Sequence, residues 1–228
     1  MINIDSTINS KLIPIHQKLK KFYPVEDLKN ELPEQIMACI FINENDCVLE
    51  LGGSIGRNSC VINSLLKNKN NHLVIEPSFT EAEKLKKNRD NNNLGFNIEI
   101  CAISDIPLYS RGWYTYTYQV AGSVPVNTLT YKQIKNKYNI NFNVLVIDNE
   151  GNFVKMLKSF PDILNNIRLI LIEHDFNSSE DLNYFYKIMV NNCFNLTAKY
   201  LKNDKYGPGD NWSDGVIGDP IFVSAWTR

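Results

Sequence analysis

Four apolar runs in this 228-residue chain end in a carboxylate. Val48-Leu49-Glu50, His72-Leu73-Val74-Ile75-Glu76, Val144-Leu145-Val146-Ile147-Asp148 and Leu169-Ile170-Leu171-Ile172-Glu173 are the four, and His174 follows the last. Acids gathered at one place can accept hydrogen bonds from neighbouring hydroxyls, remove a proton, or hold a hard divalent cation. The first acid leads into Leu51-Gly52-Gly53-Ser54-Ile55-Gly56, after which Arg57-Asn58-Ser59 restarts a helical period. That order predicts strand, tight turn and helix N-terminus. Glycine suits such a turn because a Cβ obstructs both a positive φ and the approach of a ligand to the backbone, and Gly52 and Gly56 are the two of most interest. Glu76, closing an adjacent parallel strand, can accept from both hydroxyls of a ribose.

Two nucleotide classes are disfavoured by spacing. Counting from Gly52, the G-x-G-x-x-G fingerprint meets Ser54 and Arg57 where it needs glycine, and no G-x-x-x-x-G-K-[ST] string occurs. Acid-x-Gly-x-x-x-Gly with a ribose acid one strand later is the pattern of S-adenosylmethionine-dependent methyltransferases. The alternative is a turn with a purely structural task. Acids along one edge complement a sulfonium and an aminium and disfavour a polyphosphate. The predicted cofactor set is Glu50, Gly52, Gly53, Ser54, Gly56, Glu76, Pro77, Ala102 and Asp148.

Positioning these residues requires an alternating chain. Strands are expected over 47–51, 72–76, 96–102, 143–148, 168–173, near 195–201 and over 220–227, with helices over 57–67, 80–91, 151–158 and 179–191. Alternation of this kind predicts an α/β fold, a Rossmann-like seven-stranded sheet of the class I methyltransferase type, mostly parallel with an antiparallel last strand and helices on both faces. Ligands bind such sheets outside the carboxyl ends of the strands, where the strand order reverses. Residues 1–43 read as a helical preface with helices near 11–22 and 33–42, Pro33 opening the second. It either packs on the sheet or covers the cofactor. Residues 44–228 form one domain.

Two further segments suit an acceptor. The insertion 107–128 carries Trp113 and the alternation Tyr114-Thr115-Tyr116-Thr117-Tyr118, which places three tyrosines on one strand face. Such a face stacks on sugars or packs on a helix. The loop 202–219 holds Trp212 among glycines and acids, as acceptor loops do and as irregular surface loops also do. Trp113, Glu150 and Trp212 are the expected substrate contacts.

Composition narrows the classes. A net charge of −1 with pI near 6.3 provides no field for long nucleic acid, and Lys84 to Lys87 reads as a solvated helix face. Five cysteines without a C-x-x-C pair imply reduced thiols and a cytoplasmic protein, and three histidines disfavour zinc. Apolar runs such as 36–42 are far too short to span a bilayer, and the N-terminus shows no basic segment followed by an apolar core.

The chain resembles the FkbM family of S-adenosylmethionine-dependent methyltransferases over about residues 47–176. Glu50-Leu51-Gly52-Gly53-Ser54-Ile55-Gly56 with Ser59 is similar to D-x-G-A-N-x-G-x-x-S, and Ile75-Glu76-Pro77-Ser78 with Leu85 and Asn88 to E-P-s followed by L-x-x-N. Val126-Asn127-Thr128-Leu129 resembles V-x-T-L before a helix. Ile147-Asp148-Asn149-Glu150-Gly151 resembles I-D-x-E-G, the most specific stretch, and Ile172-Glu173-His174 is the acid-bearing strand beyond it. The chain departs from the family at Glu50, Ser54, Val146, Asn152 and Phe153. The resemblance implies O-methylation, and the narrower expectation is a hydroxyl on a sugar, glycan or small glycosylated metabolite. Asp148, Glu173 and His174 are the catalytic candidates. Either Asp148 or His174 is the base, or Asp148 and Glu173 hold a cation such as Mg2+. Structural helix caps and lysine pairs are the plainer use of Glu150 and Glu173. Two rival functions are a catalytically silent partner subunit and a methyltransferase acting on nucleic acid or protein.

Overall fold

The computed structural model describes residues 4–19, 22, 28, 30–112, 114–205, 215–216 and 219–228. Seven strands build the central sheet: β1 (Val48–Leu51), β2 (His72–Ile75), β3 (Asn97–Glu99), β9 (Val144–Ile147), β10 (Leu169–Glu173), β11 (Asn195–Leu201) and β12 (Ile221–Thr227). Their spatial order is β11-β12-β10-β9-β1-β2-β3. β1 pairs in parallel with β2 and β9, β9 with β10, and β2 with β3, whereas β12 runs antiparallel to both β10 and β11. This is the expected Rossmann-like α/β sheet with a single reversed last strand.

Parallel strands covered on both sides carry apolar residues at every position, which explains the unbroken runs. Alternate residues serve two cores. Val48, Val74, Val144, Val146 and Leu171 pack with Ile36 and Met37 of α3 (Leu32–Phe41), Val61 of α4 (Arg57–Leu65) and Leu85 of α5 (Phe79–Asn91). Leu49, Leu73, Leu145 and Ile170 pack on the other face with Ile134 of α6 (Tyr131–Tyr138), Val154 of α7 (Phe153–Ser159) and Phe185 of α8 (Ser179–Asn191).

The preface holds α1 (Ile4–Thr7), a π-helical turn (Ile8–Leu12), α2 (Ile13–Lys18) and then α3. The expected helix over 11–22 ends early, since Leu19 leaves the helical region at φ −77 and ψ 36. α3 belongs to the same core as the sheet.

The expected third strand, 96–102, is divided. β3 stops at Glu99, whose carboxylate accepts from the Tyr138 hydroxyl at 2.7 Å and pairs with Lys137. β4 (Ala102–Ile103) pairs instead with β8 (Thr128–Leu129). Between them β5 (Leu108–Arg111), β6 (Tyr114–Tyr116) and β7 (Val124–Val126) form a small antiparallel sheet. Thr130 then caps α6 through a reciprocal pair with Gln133, so the stretch after Leu129 starts a helix. Among the described residues no helix is long and apolar enough to cross a membrane.

Candidate functional site

A cavity of about 450 Å3 opens at the carboxyl ends of β1, β2, β9 and β10. Its floor is the turn after β1. Gly52 and Gly53 donate to the Ile75 carbonyl at 2.9 and 3.3 Å, which ties the turn to β2. Gly52 has φ +87, and a Cβ there falls 1.5 Å from the Asp148 carbonyl oxygen on the other flank. Only glycine lets the turn pass between the two strand ends. Ser54 is held at φ 45, a costly conformation for a residue with a Cβ.

That strained Ser54 sends its amide to Glu76. One Glu76 oxygen accepts from Ser54 N at 2.8 Å, the other from Ser78 N at 2.7 Å. Burial still pushes the carboxyl up to about 7, against the pull of those two amides. Each carboxylate oxygen has a second acceptor position, so the side chain is fixed and can still receive hydroxyls. Leu51, Ile75, Pro77 and Ala102 line the same cavity.

Three members of the predicted cofactor set have other tasks. Glu50 is 2% exposed and hydrogen-bonded to His72 Nε2 at 2.9 Å. It precedes the last residue of β1 and shares a sheet face with His72, so it is a core partner and not a wall of the cavity. Gly53 and Gly56 also lie off the wall, because added Cβ atoms meet Val74 Cγ1 at 2.2 Å and Leu85 Cδ1 at 2.6 Å. Those two glycines let α5 and β2 close on the turn.

The catalytic candidates separate in the same way. Glu173 and Asp148 both line the cavity. Burial raises both carboxyls well above their ordinary values. Glu31 and Asp175 then add to the shift of Asp148, and Asp148 and Glu34 to that of Glu173. His174 is 1% exposed, with Nδ1 on Asp219 at 2.8 Å and Nε2 on Ser224 at 2.8 Å. Both ring nitrogens are used inside the fold, edge-on to Phe176 and Phe185. His174 is therefore a buried residue whose ring nitrogens are both taken up inside the fold, and it does not line the cavity.

Acids that the sequence left unassigned complete the chamber. Asp175, two residues beyond Glu173, returns to its face of the sheet and lines the cavity. Burial lifts its carboxyl to about 7 despite backbone amides of Gly151 and Glu150, and its Oδ2 is buried with no partner. Glu31 and Glu34 arrive from the preface. Glu34 is 6% exposed, its Oε2 has no partner, and burial beside Glu31 pushes it to about 8. Among the described residues eight acids line the cavity against two basic residues, Arg57 and Lys155. A site with this balance selects a cation. Among the described residues no group of three or more side chains has the geometry to hold a metal ion.

These raised values fix a pH dependence. Glu34, Glu76 and Asp175 bind protons more tightly in the folded chain than in the unfolded one, so their contribution is full below pH 4 and is lost as pH rises through about 7 to 8. The ligand-free protein is expected to melt at a higher temperature at pH 6 than at pH 8. Thermal unfolding in two buffers of equal ionic strength checks this, and the reverse order contradicts it.

A side chamber of about 240 Å3 joins the cavity at Thr115, Thr117, Glu150, Asn152 and Lys155. Its other walls are Tyr114, Tyr116, Tyr118 and Asn177, and the Tyr116 and Tyr118 rings lie 6.3 Å apart. Glu150, at φ 55 in the turn after β9, lies at the junction. Trp113 and Trp212, the two predicted acceptor contacts, lie outside the described residues.

No protein-family model matches this chain. No curated protein matches it either. Solved structures do. The fold is similar to an O-methyltransferase from Bacillus cereus in complex with SAH, with 16% identity over 100% of this chain and 93% of that one, at a TM-score of 0.50. It is similar to an rRNA methylase from Streptococcus thermophilus, with 9% identity over 85% and 93%, at 0.50. A protein of the NADB-Rossmann superfamily from Streptococcus agalactiae gives 10% identity over 86% and 67%, also at 0.50. At these identities the likeness concerns the fold. The chain has the Rossmann-like α/β fold that class I S-adenosylmethionine-dependent methyltransferases use, with its seven-stranded sheet and single antiparallel strand.

Proposed function

We infer that the protein is an S-adenosylmethionine-dependent methyltransferase acting on a hydroxyl, of the kind found in the FkbM family. The observation that carries this reading is Glu76. A fixed carboxylate at the end of β2 faces the cavity beside a turn in which Gly52 admits no side chain. The residues fit the cofactor: Glu76 would take the ribose hydroxyls, Pro77, Ala102 and Ile103 would flank the base, and the acids around Asp148 would face the aminium and sulfonium. Bound there, S-adenosylmethionine supplies an electrophilic methyl group.

The chain's own residues supply the remaining chemistry. An acceptor oxygen must be held in line and lose its proton as the bond forms. Asp148, beside Glu173 in the cavity wall, would accept the proton of the acceptor hydroxyl. The side chamber favours a sugar: tyrosine rings offer flat apolar faces, and Thr115, Thr117, Asn152, Asn177 and Lys155 offer groups that pair with hydroxyls.

Thermal unfolding with S-adenosylmethionine, S-adenosylhomocysteine and NAD+ tests the reading. At 100 times its Kd a ligand stabilises by about 2.7 kcal/mol. A rise in Tm with both adenosyl compounds and none with NAD+ is expected. A rise with NAD+ alone contradicts it.

A further inference from the structure

The acid-rich cavity poses a chemical problem that its geometry answers. The cofactor of the proposed reaction ends in an amino acid, so it brings one carboxylate into a chamber whose described walls hold eight acids and two basic residues. An unpaired carboxylate there is repelled unless a cation meets it. Lys155 stands at the junction with the tyrosine chamber, whereas Arg57 directly follows the glycine turn as the first residue of α4. A carboxylate already lies in contact with Arg57. Glu31 of the preface places Oε1 at 3.1 Å from Arg57 Nη1 and Oε2 at 3.1 Å from the Asn58 amide. Guanidinium and backbone amide thus form a built carboxylate site. Burial raises the Glu31 carboxyl even with Arg57 and Asn58 pulling it down.

We propose that Arg57 and the Asn58 amide are the receptor for the amino-acid carboxylate of the adenosyl cofactor, and that Glu31 occupies this site as an internal competitor until the ligand displaces it. The proposal rests on the methyltransferase reading. Exchange of one carboxylate for another leaves Arg57 paired throughout and removes the Glu31 charge from beside the incoming one. It also ties the preface to cofactor occupancy, since Glu31 immediately precedes α3 and Glu34 lies in its first turn. The neighbouring acids Glu34 and Asp175, each with an unpartnered buried oxygen, then stay available for the aminium.

The test compares S-adenosylhomocysteine with its decarboxylated analogue S-adenosyl-3-thiopropylamine, both measured by calorimetry on the full chain. In the wild type the carboxylate-bearing ligand binds more tightly. Arg57→Gln should weaken S-adenosylhomocysteine about 10- to 100-fold, the loss of one charge-assisted pair, and leave the analogue within about twofold. Arg57→Lys should recover part of the loss. Glu31→Gln should move the other way and tighten S-adenosylhomocysteine alone. Equal losses for both ligands in Arg57→Gln, or weaker S-adenosylhomocysteine binding in Glu31→Gln, overturn the assignment while leaving the cofactor reading intact. If the wild type binds neither ligand, the methyltransferase reading fails and the assignment with it.

Discussion

Gly52→Ala is expected to lose at least ~3 kcal/mol of stability and all measurable binding of S-adenosylhomocysteine. Two causes combine. The left-handed backbone at φ +87 costs an alanine about 1 kcal/mol, and the new Cβ lies 1.5 Å from the Asp148 carbonyl oxygen, where only backbone can move. Relief requires the β1 turn to leave β9 or the Asp148 carbonyl to swing away, and either change breaks the cavity floor. Gly122→Ala provides the comparison. Gly122 has φ +78 and its nearest outside atom is the Arg111 Cδ at 3.8 Å, so it bears only the conformational cost of about 1 kcal/mol. For a domain of this size Tm should fall by roughly 6–12 °C in the first variant and 2–4 °C in the second. Equal shifts contradict the account of the turn.

Asp148→Asn has the largest expected effect on turnover, a loss of about 10²- to 10⁴-fold in kcat. An amide keeps the shape of the side chain, yet it cannot take a proton. Methyl transfer to a panel of glycosides is the readout, with the S-adenosylhomocysteine Kd as control, which should change far less than kcat. Because burial and Glu31 raise the Asp148 carboxyl, the wild-type rate should rise with pH. His174→Gln should behave oppositely: stability falls as its bonds to Asp219 and Ser224 are lost, and kcat per folded molecule is retained. Full kcat in Asp148→Asn contradicts the assigned base.

The contrast between Asp148 and His174 shows which parts of the site were legible in the sequence. Parallel strands covered on both faces leave continuous apolar runs, so β1, β2, β9 and β10 stood out, and so did the acids at or just beyond the ends of β2, β9 and β10. Direction was harder. Side chains alternate along a strand, so Glu173 and Asp175 reach the cavity while His174 turns to Asp219 and Ser224. Applying that period to residues 173–175 would have exchanged His174 for Asp175. The same period puts Glu50 beside His72. Glu31 and Glu34 carried no such signal, because nothing local shows which sheet edge a preface will reach. Their i, i+3 spacing before the buried Ile36 and Met37 was the available trace. The aromatic strand was read for its alternation, and it forms a wall of the side chamber.

The central claim is that an adenosyl ribose is held by Glu76. Calorimetric titration of S-adenosylhomocysteine into the wild type and Glu76→Gln tests it most directly. The substitution keeps the volume and one carbonyl acceptor, but it replaces the other oxygen with an NH2 that can accept from neither the hydroxyl nor the backbone amide. The account predicts binding by the wild type and a loss of about 10- to 100-fold in the variant, equivalent to one charged hydrogen bond of ~1.5–3 kcal/mol. Undiminished affinity in a folded Glu76→Gln protein, shown by an unchanged circular dichroism spectrum, contradicts it.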